Sequence, residues 1–397
     1  MVWPEIAGAG QFIGKFGDLC RARRRIRGAT SVPASVLRTL EDSPRAIRQA
    51  QRAERKALRD AAEMATMPDP ITLAEQRRLR SRTRGWAFAT FLLTTLMAAG
   101  GLLRVIGRGV LTGGALLPDA SGIRELASMA ASGWLPSGDG VSGPIDALWL
   151  ALSPFVALSE PLGGSLGAVA TAIILCAIPL AGMAAYWGAG TFTRAPALRF
   201  LAGVLWAFAP PLLASVAVGQ VAGAIWHILA PLALALLTRC WRGQSVSLVG
   251  RASLVLAVMC AAAPLTILVV IAVIVAAVVR RSWRWLWISV PALALMAPSF
   301  AAAMGIGGSA PWRFLFAVPG VGLDTQPSTL GILTLSPTQY AEGLGSLDTG
   351  GRIAAAGILA VAVVGVLALF RAHRSAWIRW GWVGIGAGYA WALADSS

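Results

Sequence analysis

Between Arg251 and Arg280 the chain reads ASLVLAVMCAAAPLTILVVIAVIVAAVV (252–279), 28 residues without a charged side chain. As one α-helix this stretch would be roughly 42 Å long, against a hydrocarbon core of roughly 30 Å. Pro264 stands near its middle, where a proline removes a helical hydrogen bond and crowds the preceding turn. Arginines decide how the stretch crosses. Arg239, Arg242 and Arg251 precede it, Arg280, Arg281 and Arg284 follow, and Arg371, Arg374 and Arg379 lie further on. Two apolar spans, 286–304 and 353–370, separate the last two clusters, so both lie on one side. Basic residues of short loops collect on the cytoplasmic side. The stretch 252–279 therefore enters and leaves on that side, as two short helices turning near Pro264. A turn at membrane depth leaves backbone groups that only protein or a water-filled cavity can satisfy. The sequence thus predicts this turn as a wall of a substrate cavity facing the outer acidic loops.

The rest of the chain has the same character. Its 397 residues are 56% hydrophobic and 13% charged, with a mean hydropathy of +0.68, whereas soluble domains carry about 25% charged residues. Charge-free apolar runs recur, and they lack the alternation of an outer-membrane barrel strand. These features exclude a soluble enzyme and a disulfide-knotted secreted domain. The expectation is an all-α, polytopic helical membrane protein of about 8–9 membrane helices, including the short pair. Further spans are read at 85–103, 164–187, 200–218 and 221–238, with Gly219 and Gln220 as a tight outer hairpin. A last apolar segment covers 380–393, and its half-formed length reads as a piece of a longer protein.

Residues 1–84 hold 18 of the 34 basic residues and 9 of the 18 acidic ones, so more than half of the +16 net charge sits there. This balance is read as a basic cytoplasmic or interfacial helical region facing anionic membrane lipids, with no nucleic-acid partner. The transmembrane region is 85–397, with outer loops 104–163 and 305–351. In the first loop, 120–134 has apolar residues at helical spacing and reads as an amphipathic surface helix. The run 147–158 is too short to cross and reads as re-entrant or docked on other helices.

Cys20, Cys176, Cys240 and Cys260 form no CxxC pair, so neither a metal site nor a disulfide framework is indicated. The residues do not identify a cofactor. The spans carry no Asp, Glu, Lys or Arg, which argues against proton-coupled carriers. His227 is the ionisable group at membrane depth, and a histidine bonded to a neighbouring helix is its plainer reading. Pro179, Pro210, Pro211, Pro231, Pro291 and Pro298 mark either broken helices around a cavity or ordinary kinks. Trp283, Trp285 and Trp287, and Trp377, Trp380 and Trp382, read as interface belts. Asp119 and Glu125 follow the first span, where a transferase using a lipid-phosphate sugar donor needs a carboxylate as general base. Acidic residues in an outer loop also need no such role. A D-x-D triplet and a Walker A motif are both missing.

Three stretches carry a resemblance: RVIGRGVLTGGALLP (104–118), ELASMAASGWLPSGDGVSGPIDALWLALSPF (125–155) and APPLLASVAVGQVAGAIWHILAPLALAL (209–236). They resemble the multispanning membrane region of large actinobacterial family 2 glycosyltransferases, which build the cell envelope. The resemblance covers residues 80–393. The cytoplasmic catalytic domain of those proteins has no counterpart in this chain, so no family catalytic residue is carried onto any position. The resemblance implies the cell membrane, a polyprenyl-phosphate-linked sugar or glycan as substrate, and a soluble family 2 transferase domain as partner. Two other readings stay open: a GT-C-like transferase using Asp119 and Glu125, and a lipid-linked-glycan translocator without chemistry.

The arginine distribution generates a topology with the N-terminus inside and loops 104–163 and 305–351 outside. A membrane-impermeant thiol reagent added to intact cells should label a Ser346→Cys variant and spare Ala46→Cys. Labelling of Ala46→Cys would overturn the map.

Overall fold

The computed structural model describes residues 17–18, 20–25, 28, 49–54, 56, 70–103, 105–107, 109–116, 120–135, 141–243, 245–316 and 346–371. The chain divides into two units, Met1–Arg77 and Arg78–Ser397. In the first, the described residues before Pro70 are helical. Their one ion pair, Asp18 with Arg21 at 3.1 Å, is solvent-exposed on both sides, and such a pair contributes only about 0–1 kcal/mol. The predicted segment 380–393, the cluster residues Arg374 and Arg379, and Asp119 lie outside the described residues.

Helix α1, Pro70–Leu102, runs without a break through the arginines at 77–84 into the apolar stretch. The predicted span began at 85, after that collar. Arginine is a good helix former, and Pro70 sits at the start, where its missing amide is no loss. Short α2, Ile123–Ser132, is amphipathic as expected and buries Leu126. A two-residue antiparallel hairpin follows, β1 Trp134–Leu135 with β2 Val141–Ser142. Next come α3 Ala147–Ser159, α4 Leu166–Ala189, α5 Pro196–Ala207, α6 Pro210–Val218 and α7 Val221–Arg242. After them come α8 Val246–Ala262, a 3-10 turn at Pro264–Thr266, α9 Ile267–Val279, α10 Trp283–Ile306, α11 Ala310–Phe316 and α12 Ser346–Arg371.

Among the described residues four helices, within α1, α4, α7 and α10, are long and apolar enough to cross a membrane. A fifth span is formed if α5 and α6 count together, because they meet at a 41° bend. The expected single span 200–218 is therefore broken. The cause is in the sequence: Pro210 and Pro211 supply no amides, and Ala209 before them is extended (φ −61°, ψ 134°), as a residue preceding proline prefers.

The stretch 252–279 breaks at Pro264 as expected. Its first helix starts earlier than predicted, at Val246, where the Ser245 hydroxyl accepts from the Leu248 amide. Helices α8 and α9 both pack along α10. Their outer ends come together: the Arg280 guanidinium donates to the Trp241 carbonyl at 3.0 Å and lies 3.9 Å over the Trp241 ring. The end of α9 therefore meets the end of α7, from which α8 departs. The pair leaves the end of the bundle at which it entered.

Other contacts draw more arginines to that end. Arg239 Nε donates to Thr191 Oγ1 at 3.1 Å, Arg199 Nε to the Thr193 carbonyl at 2.8 Å, and the Tyr186 hydroxyl to the Thr83 carbonyl at 2.6 Å. The loops α4–α5, α7–α8 and α9–α10 and the basic collar from Arg80 to Arg84 thus share one end. At the other end Ala115 donates to the Val218 carbonyl, Leu111 to Thr171 Oγ1, and Leu166 to the Ser121 carbonyl. Glu125, Asp146 and Glu160 belong to the segments gathered there.

Trp285 corrects the aromatic-belt expectation. Trp283 and Trp287 are 82% and 65% exposed, but Trp285 is 3% exposed and meets Trp241 edge-on at 5.3 Å. It is a packing residue behind the Arg280–Trp241 contact. The centre of the bundle, α4 against α5 and α7, is held close by small residues. A Cβ on Gly188 would stand 2.7 Å from the Pro231 carbonyl oxygen, so only glycine lets α4 and α7 approach this closely.

Candidate functional site

The site begins with two prolines. In a helix the carbonyl of residue i accepts from the amide of residue i+4, and proline has none. Pro210 therefore deprives the Trp206 carbonyl, and Pro231 deprives the His227 carbonyl. The structure pairs these two losses. The Trp206 indole Nε1–H donates to the His227 carbonyl at 3.0 Å, and His227 Nε2 bonds the Trp206 carbonyl at 2.9 Å. A carbonyl can only accept, so Nε2 carries the proton and Nδ1 is left as an acceptor. The two rings stack with centroids 4.3 Å apart and planes 20° apart. Each helix thus lends a ring N–H to the carbonyl that the other helix's proline orphans. The Trp206 carbonyl also takes a longer bond, 3.3 Å, from the Ala209 amide. His227 is 6% exposed, so its plainer sequence reading, a histidine bonded to another helix, is the one observed.

Beside this bridge the helix break opens a cavity of ≈ 630 Å³. One wall is the α5–α6 joint, with Leu205, Trp206, Ala209, Pro210 and Pro211. A second is the first half of α7, with Ala222, Gly223, Trp226 and His227. Ala262 and Ala263, at the Pro264 turn, form a third, and Ile358 of α12 closes another side. The turn between α8 and α9 is thus a cavity wall, but no described residue of the outer acidic loops lines the cavity with it. It is pinned there because Trp226 Nε1–H donates to Thr266 Oγ1 at 2.9 Å, and that hydroxyl reaches the Met259 carbonyl at 3.4 Å. Gln220 and Ser215 lie at the hairpin end of the cavity. Gly219 makes this hairpin possible through its left-handed conformation (φ 73°), with Leu116 packed under it.

The predicted carboxylates are elsewhere. Glu125 is exposed in the first turn of α2 and does not line the cavity. Asp119 lies outside the described residues. Asp146 caps α3, its Oδ1 accepting from the Leu148 amide at 2.8 Å. Burial pushes its carboxyl pKa up, and the Leu148 amide opposes the rise. The Glu160 carboxylate lies against Gly122 at the start of α2. Among the described residues no group of three or more His, Cys, Asp or Glu side chains could hold a metal ion, and the cavity wall has no acid. What this wall can do is enclose an apolar group, with the Gln220 carboxamide as its free polar group.

Sequence reading singled out His227 and the prolines but passed over Trp206 and Trp226. A usable signal existed. Trp206 precedes Pro210 by four residues, and His227 precedes Pro231 by four, so each ring belongs to the residue whose carbonyl a proline orphans.

Trp206→Phe should lower stability by about 1–3 kcal/mol, the cost of leaving a buried carbonyl unpaired. Pro231→Ala restores the amide that the His227 carbonyl lacks, so in that background the same substitution should cost much less. Thermal midpoints of the four proteins in detergent measure this. Equal losses in both backgrounds would show that Trp206 does not serve that carbonyl.

No protein-family model, curated protein or solved structure matches the chain, so the site is read from its own geometry.

Proposed function

We propose that this chain is the membrane-embedded part of a cell-envelope glycosyltransferase, holding a polyprenyl-phosphate-linked sugar or a glycan while sugar is transferred. It sits in the cell membrane with about 8–9 helices and a cytoplasmic N-terminus. The observation that carries this reading is the apolar cavity at the α5–α6 break. It lies between the bent α5–α6 pair and α7, a helix of membrane-spanning length, beside the end of the bundle that bears Glu125, Asp146 and Glu160. The arginines of the α4–α5, α7–α8 and α9–α10 loops gather at the opposite end. That asymmetry supports a cytoplasmic face at the arginine end and an outer face at the acidic one. A soluble family 2 transferase domain would supply the nucleotide-sugar chemistry, because no carboxylate stands among the described lining residues of the cavity. Its docking surface is the arginine end.

Membranes containing this chain and a soluble family 2 transferase domain should transfer labelled sugar to or from a polyprenyl phosphate at least about tenfold faster than the domain alone. The two should also copurify. An unchanged rate would contradict the proposal. Loss of transfer in Asp119→Asn or Glu125→Gln, with the chain acting alone, would assign the chemistry to outer carboxylates instead. Glycan transport without any transfer would make the chain a translocator.

A further inference from the structure

We infer that the cavity at the α5–α6 break seats the isoprenoid chain of a polyprenyl phosphate and excludes the sugar that the lipid carries, an inference that rests on the function proposed above. The hydrogen bonding of the wall decides against a sugar. Trp206 Nε1–H is committed to the His227 carbonyl and Trp226 Nε1–H to Thr266 Oγ1. Ser215 Oγ donates to the Pro211 carbonyl at 2.8 Å. The ring proton of His227 is committed to the Trp206 carbonyl. A sugar has a hydroxyl on nearly every carbon, and the free Gln220 carboxamide and His227 Nδ1 could meet only a few of them; the rest would be buried against donors already in use, which costs free energy. An apolar chain has nothing to satisfy.

Shape favours a branched chain over a straight one. Ala202, Ala209, Ala222 and Ala263 stand among bulkier lining residues such as Trp206 and Trp226, so the wall is recessed where the alanines stand. The wall also turns, by 41° at the α5–α6 joint and again at Pro264. An isoprenoid carries a methyl on every fourth carbon and fills such recesses, where an unbranched acyl chain would leave gaps without contact partners. Polarity sets the direction of the chain. Gln220 stands at the α6–α7 hairpin, the end remote from the arginines, and its carboxamide makes no hydrogen bond among the described residues. The polar head therefore leaves at Gln220 and the chain end lies deeper, toward Ala262 and Ala263.

The test uses the full-length protein in phosphatidylcholine nanodiscs and a polyprenyl phosphate bearing a diazirine at the far end of its chain. Photolysis and peptide mapping should place saturable cross-links within residues 202–227 and at 262–263. Sugar-free and sugar-bearing polyprenyl phosphates should compete equally well. Ala202→Phe and Ala263→Phe fill the cavity from opposite walls, and whichever folds should cut the cross-link yield at least about tenfold. Displacement by a water-soluble sugar phosphate would put the sugar in the cavity and overturn the inference while leaving the proposed function intact. Equal displacement by dioleoyl phosphatidic acid would overturn the isoprenoid assignment in the same way. Saturable cross-links confined to other residues would move the chain elsewhere. An absence of any saturable polyprenyl-phosphate binding would remove the proposed function as well.

Discussion

In a lipid environment a carbonyl without a donor has no water to turn to, and each such group costs several kcal/mol. The fold of this chain is organised by that constraint. Pro210 and Pro231 create two orphaned carbonyls in neighbouring helices, and the Trp206 and His227 rings answer both at once. Without the Trp206 ring the His227 carbonyl would lose its donor, and without the His227 ring the Trp206 carbonyl would keep only the longer bond from the Ala209 amide. The same logic recurs in α3, where Pro154 deprives the Leu150 carbonyl and the Ser153 hydroxyl donates to it at 2.8 Å. At the Pro264 turn Trp226 donates to the Thr266 hydroxyl, which in turn reaches the Met259 carbonyl, so the turn is tied to α7 by side-chain hydrogen bonds.

The pairing of breaks produces the site. A continuous apolar helix packed on its neighbours leaves no space larger than a methyl group. Here the α5–α6 joint and the Pro264 turn interrupt two walls at similar depth, and neither Ala209 nor Ala263 has a side chain to fill the gap. Rigid polar bonds hold the gap open, since Trp226 ties the turn to α7 and the Trp206–His227 stack ties α5 to α7. The arginine end is fixed separately, through Arg280 on Trp241 and Arg239 on Thr191. The bundle thus carries its arginine contacts at one end and an apolar cavity toward the other.

Much of this was legible in the sequence. Charge-free apolar runs identify spans because nothing else tolerates them, and Pro264 in an overlong run identified the turn. Arginine parity placed both ends of the 252–279 pair together, where Arg280 and Trp241 touch. The break at Pro210 was read only as the alternative to an ordinary kink, because periodicity reports apolar continuity and 200–218 remains apolar across the joint. Trp285 was assigned to an interface belt together with Trp283 and Trp287, which are exposed; on a helix, two residues further along is just over half a turn away. The carboxylates could be placed near the outer end but not on the cavity, since loop geometry around Glu125 depends on packing between α2 and α3. Trp226 and Thr266, forty residues apart, meet only once the tertiary fold exists.

The central claim is that His227 donates from Nε2 to the carbonyl that Pro210 orphans. Solid-state NMR of the protein in lipid bilayers, with ring-labelled histidine and His373 replaced by Gln, reads the two ring nitrogens of His227 directly. The account predicts a neutral ring with a protonated Nε2 and a bare Nδ1 at neutral pH. In Trp206→Phe the Nε2 proton should remain, because the Trp206 carbonyl belongs to the backbone and survives the substitution. A ring protonated at Nδ1 alone would leave the Trp206 carbonyl without this donor and contradict the account.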